Sequence, residues 1–197
     1  MAALCLLLVL KVSALGAVAA VSPLAADIPD WLGAEKIAPR PNTDTAIMLG
    51  LAHRLMETGK ADIAFLERYC TGWPEFRAYL AGETDGIPKT TAWAASIADV
   101  DRDMLDHLAD RMSRGRTMLS ATWSLQRADH GEQPYWALIA LAAMLGQIGL
   151  PGGGFGFGYG SLNGVGAVRR PGIMPAMPGL PNPAKSSIPV ARLTDML

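Results

Sequence analysis

The chain has 197 residues, half of them hydrophobic, and 17 basic residues nearly balance 18 acidic ones for a formal net charge of −1. This length suits one domain or two small ones, with enough apolar residues for a sizeable core. The dispersed basic residues argue against nucleic acid and against an anionic membrane surface as partners. Cys5 and Cys70 lack metal-ligand spacing, so a zinc or iron–sulfur site is not expected.

Residues 1–20 are mostly apolar, but Lys11 interrupts them. Three interpretations stay open: a buried element that ends in a strand at residues 17–21, a secretory signal or membrane anchor, and a misread start. A signal peptide carries positive charge before its apolar run, and a membrane span needs about 20 apolar residues without a central lysine. We therefore favour the buried element and strand, and we do not expect a membrane partner.

Residues 22–41 are predicted to form a loop because they contain four prolines and one glycine. A helix is then predicted to begin at Asn42 or Thr43, either of which can cap it, and to end at Gly59. Its apolar residues recur at every fourth position, which predicts one buried face.

Similar periodicity predicts a series of further helices. They cover residues 61–69, 73–80, 91–97, 101–114 and 134–148. The last of these is apolar nearly all round, so we expect it to be buried. His53 and His107 lie on helices without a partner at metal-ligand spacing, and both are predicted to be surface residues.

A second strand is predicted at residues 117–123, so the order is strand, helices, strand, helix. This order fits a layered α/β fold, and short apolar strands indicate a parallel sheet. In residues 152–158, glycines alternate with Phe155 and Phe157, and we expect no ordinary secondary structure there. Such a tract lets backbone approach a ligand closely, although glycine-rich stretches also serve as linkers.

Polar side chains cluster between the second predicted strand and the last predicted helix. Gln126 offers two donors and an acceptor, Arg127 offers a planar fork suited to phosphate or an oxyanion, and His130 can donate a proton. Ligands in α/β sheets bind outside the carboxyl ends of strands, so this segment is a candidate pocket wall. Alternatively, Arg127 pairs with a nearby carboxylate at the surface and Trp123 is a core residue.

A second candidate is the helix start at Asn42, Thr43 and Asp44. Free amide groups at a helix start bind phosphate readily. Asp44 can instead accept hydrogen bonds from the ring N–H and amino group of a purine base. Ordinary capping of the helix is the alternative interpretation.

Three longer segments carry a family resemblance. They read IAPRPNTDTAIMLGLAH, then FLERYCTGW followed by YLAGETDGIPKTTAWAA, then WSLQRADHGEQPYWALIALAAMLGQIGLPGGGFGFG. The chain resembles the molybdopterin oxidoreductases of the dimethyl sulfoxide reductase family, most of all the branch that reduces trimethylamine N-oxide and biotin sulfoxide. The resemblance runs in order from about Val21 to the carboxyl end.

The resemblance implies a cofactor, a reaction and a set of site residues. The cofactor is molybdenum held by two molybdopterin guanine dinucleotides, and the reaction is oxygen-atom transfer from a small S-oxide or N-oxide, with an electron donor protein as a possible partner. Trp123 and Arg127 are implied to be catalytic and to line the substrate funnel. The implied cofactor-binding residues are Ser22, Asn42, Thr43, Asp44 and Gln126, with Asp44 on the guanine.

Departures from the family pattern limit the expected activity. Family members are several times longer, and nothing here corresponds to the serine that ligates molybdenum. We therefore expect an internal fragment, inactive alone, with a domain fragment at residues 21–160 and a Gly/Pro-rich loop region of the same domain at 161–197. A non-catalytic relic or interaction module is the alternative. The compartment stays open, with cytoplasm favoured over periplasm.

Overall fold

The computed structural model describes residues 18–157, so most of the amino-terminal apolar segment and the predicted loop region at 161–197 lie outside the described residues. The helices are α1 (Asp44–Glu57), α2 (Ile63–Tyr69), α3 (Trp73–Leu80), α4 (Thr91–Ala98), α5 (Arg102–Ser113) and α6 (Gln133–Met144). The strands are β1 (Ala19–Val21), β2 (Glu35–Ile37), β3 (Met118–Ala121) and β4 (Gly154–Phe157). None of the helices described within residues 18–157 has the length and apolarity needed to cross a membrane.

The strands form two parallel pairs. In the first pair, Ala19 of β1 is in register with Glu35 of β2. In the second, Met118 of β3 is in register with Gly154 of β4, and α6 lies between the two strands in the chain. The predicted helix-rich α/β fold with parallel strands is therefore confirmed.

Strand β2 lies inside the segment that we predicted to be a loop. Only Ile37 of its three residues is a buried apolar residue, so it shows no strand periodicity. Its position is fixed instead by backbone pairing with β1 and by an ion pair between Glu35 and Arg111 of α5. These contacts join residues far apart in the sequence, so no local sequence pattern predicts them.

Strand β4 corrects our expectation for the glycine tract, which does form ordinary secondary structure. Gly154 and Gly156 are both buried. A Cβ added at Gly154 would lie 3.3 Å from Cα of Ile148, so the strand packs closely against neighbouring backbone. The alternation of glycine and phenylalanine is thus the two-residue period of a strand.

Helix α1 lies at the centre of the helical layer and packs against α4, α5 and α6. Its residues Ile47, Leu51 and Leu55 are fully buried, as their spacing predicted. His53 is also only 8% exposed, so our expectation of a surface residue was wrong. Burial lowers the pKa of His53, which favours the neutral ring. His107 is exposed, as predicted.

Helix α6 is only partly buried. Leu138 and Leu141 have no exposed surface, whereas Trp136 is 61% exposed and Ile139 is 37% exposed. The helix also ends at Met144, earlier than predicted. The all-round burial that we expected is therefore wrong for one face of α6.

Candidate functional site

A pocket of about 420 Å³ lies between the amino terminus of α1 and the segment that joins β3 to α6. We call it the Asp44 pocket. Its lining residues are Asn42, Asp44, Thr45, Leu125, Ala128, Asp129, His130, Gln133 and Pro134. This volume lies within the usual range for small-molecule sites, about 300–1,000 Å³.

Asp44 is the most buried charged group of this pocket, with 7% of its surface exposed. Burial raises the pKa of its carboxyl to about 6, and a hydrogen bond with its own backbone amide offsets part of that shift. No other group within residues 18–157 donates a hydrogen bond to this side chain. A buried carboxylate without such donors is costly, so a ligand that presents N–H groups would satisfy it.

The helix start provides a second set of polar groups. Thr43 occupies the cap position of α1, but its side chain makes no capping hydrogen bond. Its hydroxyl instead donates to the carbonyl oxygen of Arg40 at 2.6 Å. Ordinary side-chain capping by Thr43, the alternative interpretation of this motif, is therefore not observed. The first-turn amides of α1 thus receive no cap from Thr43, and uncapped amides at a helix start can bind an anion.

Two lining residues have an unusual backbone conformation. Asn42 and His130 adopt positive φ angles of 64° and 53°. Only one other non-glycine residue within residues 18–157 does so, Asp99, which directly follows α4. Such conformations are unfavourable and tend to cluster at functional sites. Their occurrence on both walls supports a binding role for this pocket.

The side chain of His130 lies beside two carboxylates at the rim. Its Nε2 atom is 3.8 Å from Asp129 and its Nδ1 atom is 3.8 Å from Glu132. The ring is 76% exposed, so water screens these contacts strongly. The rim therefore offers an exposed hydrogen-bonding ring rather than a fixed ion pair.

Trp123, Gln126 and Arg127 belong to a 3₁₀ turn, Trp123–Arg127, that follows β3. All three residues are exposed, and none of them lines the Asp44 pocket. Arg127 forms no ion pair with any residue between 18 and 157, so the predicted surface pairing is not observed. Trp123 is 38% exposed and is therefore not a core residue.

Ser22 lies apart from this pocket lining. It directly follows β1 and is 1% exposed. Its hydroxyl accepts a hydrogen bond from the Leu24 amide at 3.2 Å and donates to the Asp27 carboxylate at 3.3 Å. The structure thus brings Asn42 and Asp44 together with the segment after β3, and it leaves Ser22 outside that grouping.

Sequence reasoning missed part of the opposite wall. Asp129, Gln133 and Pro134 line the Asp44 pocket but were not singled out as binding residues. They are brought to Asp44 by the packing of α1 against α6. Among residues 18–157, no group of three or more His, Cys, Asp or Glu side chains is placed to hold a metal ion.

Comparison with known proteins gives the class of protein. The family model described as molybdopterin oxidoreductase matches residues 16–182. The chain therefore belongs to the molybdopterin oxidoreductase family, whose defining cofactor contains molybdenum and molybdopterin.

Individual relatives fit the same class. The chain is 54% identical over 177 residues to a biotin sulfoxide reductase of Cereibacter sphaeroides. It is 45% identical over 190 residues to a dimethyl sulfoxide/trimethylamine N-oxide reductase of the same organism, and 42% identical over 188 residues to a trimethylamine-N-oxide reductase of Haemophilus influenzae. Each match covers 90% of this chain but only 23–24% of the relative. The chain thus spans about a quarter of the length of these relatives.

Proposed function

We propose that this chain is part of a molybdenum-dependent reductase of S-oxides or N-oxides with a bis(molybdopterin guanine dinucleotide) cofactor. In this proposal the Asp44 pocket holds a guanine nucleotide end of the cofactor, and the Trp123–Arg127 turn lies on the substrate side. The observation that carries the proposal is the buried Asp44 carboxylate, which lines a pocket at a helix amino terminus without a donor from another described residue.

The chemistry of the pocket fits a guanine nucleotide. Guanine presents a ring N–H and an amino group side by side, and one carboxylate can accept from both. Adenine presents a ring acceptor at the corresponding position, which a carboxylate disfavours. First-turn amides of α1 that receive no cap from Thr43 would offer donors to a phosphate group. Asn42, Thr43 and Asp44 would therefore hold the nucleotide, with Ser22 and Gln126 as further cofactor contacts.

When bound, the cofactor supplies the metal that accepts the oxygen atom and the two electrons that reduce the substrate, with an electron donor protein to restore them. The guanidinium of Arg127 would donate hydrogen bonds to the oxide oxygen, which carries partial negative charge. The indole of Trp123 would form an apolar side of the substrate position. None of the residues given a role in this proposal ligates the metal.

A nucleotide-binding experiment tests the cofactor half of this proposal. The 197-residue chain is titrated with guanosine diphosphate above pH 7, and binding is measured by calorimetry or NMR. Replacing the carboxylate in Asp44→Asn removes charge-assisted hydrogen bonds, which lowers affinity by about tenfold to a hundredfold. Asp129→Asn is the matched control, because it removes an exposed carboxylate from the same pocket.

Base preference sharpens the result. Wild-type protein is expected to prefer guanosine diphosphate to adenosine diphosphate, and Asp44→Asn is expected to lose that preference. Equal binding of the two nucleotides by the wild-type chain would argue against a guanine site. An equal loss of affinity in the Asp44 and Asp129 variants would show that general charge, rather than base recognition, governs binding.

A further inference from the structure

Tyr135, in the first turn of α6, makes a short contact with the segment that precedes the Trp123–Arg127 turn. Its hydroxyl donates a hydrogen bond to the carbonyl oxygen of Thr122 at 2.6 Å. Thr122 occupies the cap position of that turn, directly after β3. The hydroxyl therefore links the entrance of the turn to a helix that is anchored in the core by Leu138 and Leu141.

The other end of the turn approaches the same hydroxyl. The backbone amide of Gln126 interacts with it and partly offsets the rise in the pKa of Tyr135 that burial causes. Gly131 packs against Gln126 so closely that an added Cβ would overlap its carbonyl oxygen. Both ends of the turn are thus held by the region where α6 begins.

Two long hydrogen bonds connect the turn to the residues that flank it. The Leu125 amide is 3.5 Å from the Thr122 carbonyl oxygen, and the Ala128 amide is 3.5 Å from the Leu125 carbonyl oxygen. These distances exceed the usual range of about 2.7–3.2 Å for such bonds, so they contribute weakly. The Leu125 side chain is 1% exposed and anchors the middle of the turn. The Tyr135 contact, at 2.6 Å, is therefore a much shorter polar contact than these two flanking bonds.

We propose that Tyr135 is a positioning residue that holds the Trp123–Arg127 turn on α6, so that the Arg127 side chain keeps a fixed position relative to the Asp44 pocket. That Tyr135 holds the turn is argued from the contacts of Tyr135 alone. The consequence for substrate rests on the proposed function, in which Arg127 binds the oxide oxygen. Ala128, Asp129 and His130 follow Arg127 directly, so one rigid segment would serve both positions.

Loss of the hydroxyl has a defined expected effect. In Tyr135→Phe the ring still fills its space, but the turn samples several positions, of which only a fraction suits the substrate. A reduced population of the competent state raises the apparent dissociation constant by the inverse of that fraction. We expect KM for the oxide to rise about three- to tenfold, as loss of one hydrogen bond predicts, with kcat unchanged.

The first measurement is amide hydrogen exchange on the 197-residue chain. In Tyr135→Phe, exchange at Gln126 and its neighbours in the turn is expected to accelerate about three- to tenfold, while the amides of α1 stay unchanged. Tyr79→Phe is the matched control, because no described residue hydrogen-bonds its hydroxyl and the residue is 37% exposed. Unchanged exchange in the turn, or equal acceleration in α1, would overturn the positioning role.

The second measurement uses the holoenzyme of a longer family member that carries the same TWSLQR and GEQPY residues. KM, kcat and bound molybdenum are compared for the wild type and for variants at the positions of Tyr135 and Arg127. Tyr135→Phe is expected to raise KM without loss of molybdenum, and to have no further effect when Arg127→Ala is already present. Additive effects in the double variant would show that Tyr135 does not act through Arg127.

The two measurements separate the two proposals. If the turn exchanges faster and Arg127→Ala raises KM while Tyr135→Phe does not, the positioning role is overturned. If the turn exchanges faster and neither variant changes KM, the contact of Tyr135 holds the turn as inferred, and the substrate role proposed for Arg127 fails.

Discussion

Asp44 bears a charge at neutral pH in a position that disfavours charge. The residue is 7% exposed, and the pKa of about 6 of its carboxyl lies above the ordinary value of 3.8. A difference of about two pKa units corresponds to about 3 kcal/mol between the two protonation states. A side chain that weakens the free protein by this much is more typical of a binding site than of a structural position.

The pH dependence of the unfolding free energy tests directly how much the charged Asp44 carboxylate destabilises the protein. Because the pKa of Asp44 is higher in the folded protein than in the unfolded chain, its contribution to the unfolding free energy is most favourable below pH 3.8. This contribution is lost as the pH rises through about 6. Asp44→Asn removes this loss, so the variant is expected to match the wild type at pH 4 and to exceed it by up to about 3 kcal/mol at pH 7. Urea unfolding followed by circular dichroism between pH 4 and pH 8 measures the difference.

Asp129→Asn is the control for that series, because Asp129 lines the same pocket but is exposed. Its unfolding free energy should follow the wild-type curve. A constant offset between Asp44→Asn and the wild type across this pH range would contradict the assignment of the titration to Asp44.

At the scale of elements, one close helix contact lies where α1 packs against α4. A Cβ added at Gly50 would lie 2.6 Å from Cβ of Ala94, well inside contact distance. The absence of a side chain at Gly50 lets the two helices approach, and this contact helps to set α1, whose amino terminus carries Asp44. The packing of α1 on α4 and the position of the Asp44 pocket therefore both depend on the lack of a side chain at Gly50.

Gly50→Ala is expected to destabilise the chain by about 1–3 kcal/mol, because overpacking outweighs the helix preference of alanine. Adding Ala94→Gly returns the missing space, so the double variant should be more stable than the sum of the two single changes predicts. Chemical unfolding of the four proteins gives the coupling free energy. Additive effects would show that the two positions do not meet.

Local sequence patterns predicted the elements that are long enough to show a period. The bounds of α3 match the prediction, and α1 begins within two residues of its predicted start. Strand β2 was missed because three residues with one buried apolar side chain show no period. His53 was misplaced because α1 is buried on several sides, which the sequence pattern of one helix does not reveal.

The candidate site was likewise predicted from local sequence only in part, because long-range packing decides the rest. Asp44 and His130 were each singled out from their local context, a helix start and a polar cluster after a strand. Their shared pocket depends on α1 packing against α6, a contact between distant parts of the chain. The hydrogen bond of Tyr135 to Thr122 has the same origin, since nothing in the local sequence indicates which carbonyl a tyrosine will reach.

At the scale of the whole molecule, a second cavity differs from the Asp44 pocket in character. It has a volume of about 280 Å³ and is lined mainly by apolar residues of α2, α3 and α6, among them Trp73, Phe76, Trp136 and Ile139. We call it the apolar groove. Trp136, which lines this groove, is 61% exposed. Exposed apolar surfaces of this kind mark interaction sites or lead to aggregation.

The 197-residue chain expressed alone is therefore expected to bind a hydrophobic dye such as ANS and to self-associate. Trp136→Glu places a charge at the groove and should lower both dye emission and sedimentation-detected association. Trp31→Glu is the matched control, because Trp31 is 84% exposed and does not line the groove. Equal reductions in the two variants would mean that general surface hydrophobicity, rather than the groove, drives association.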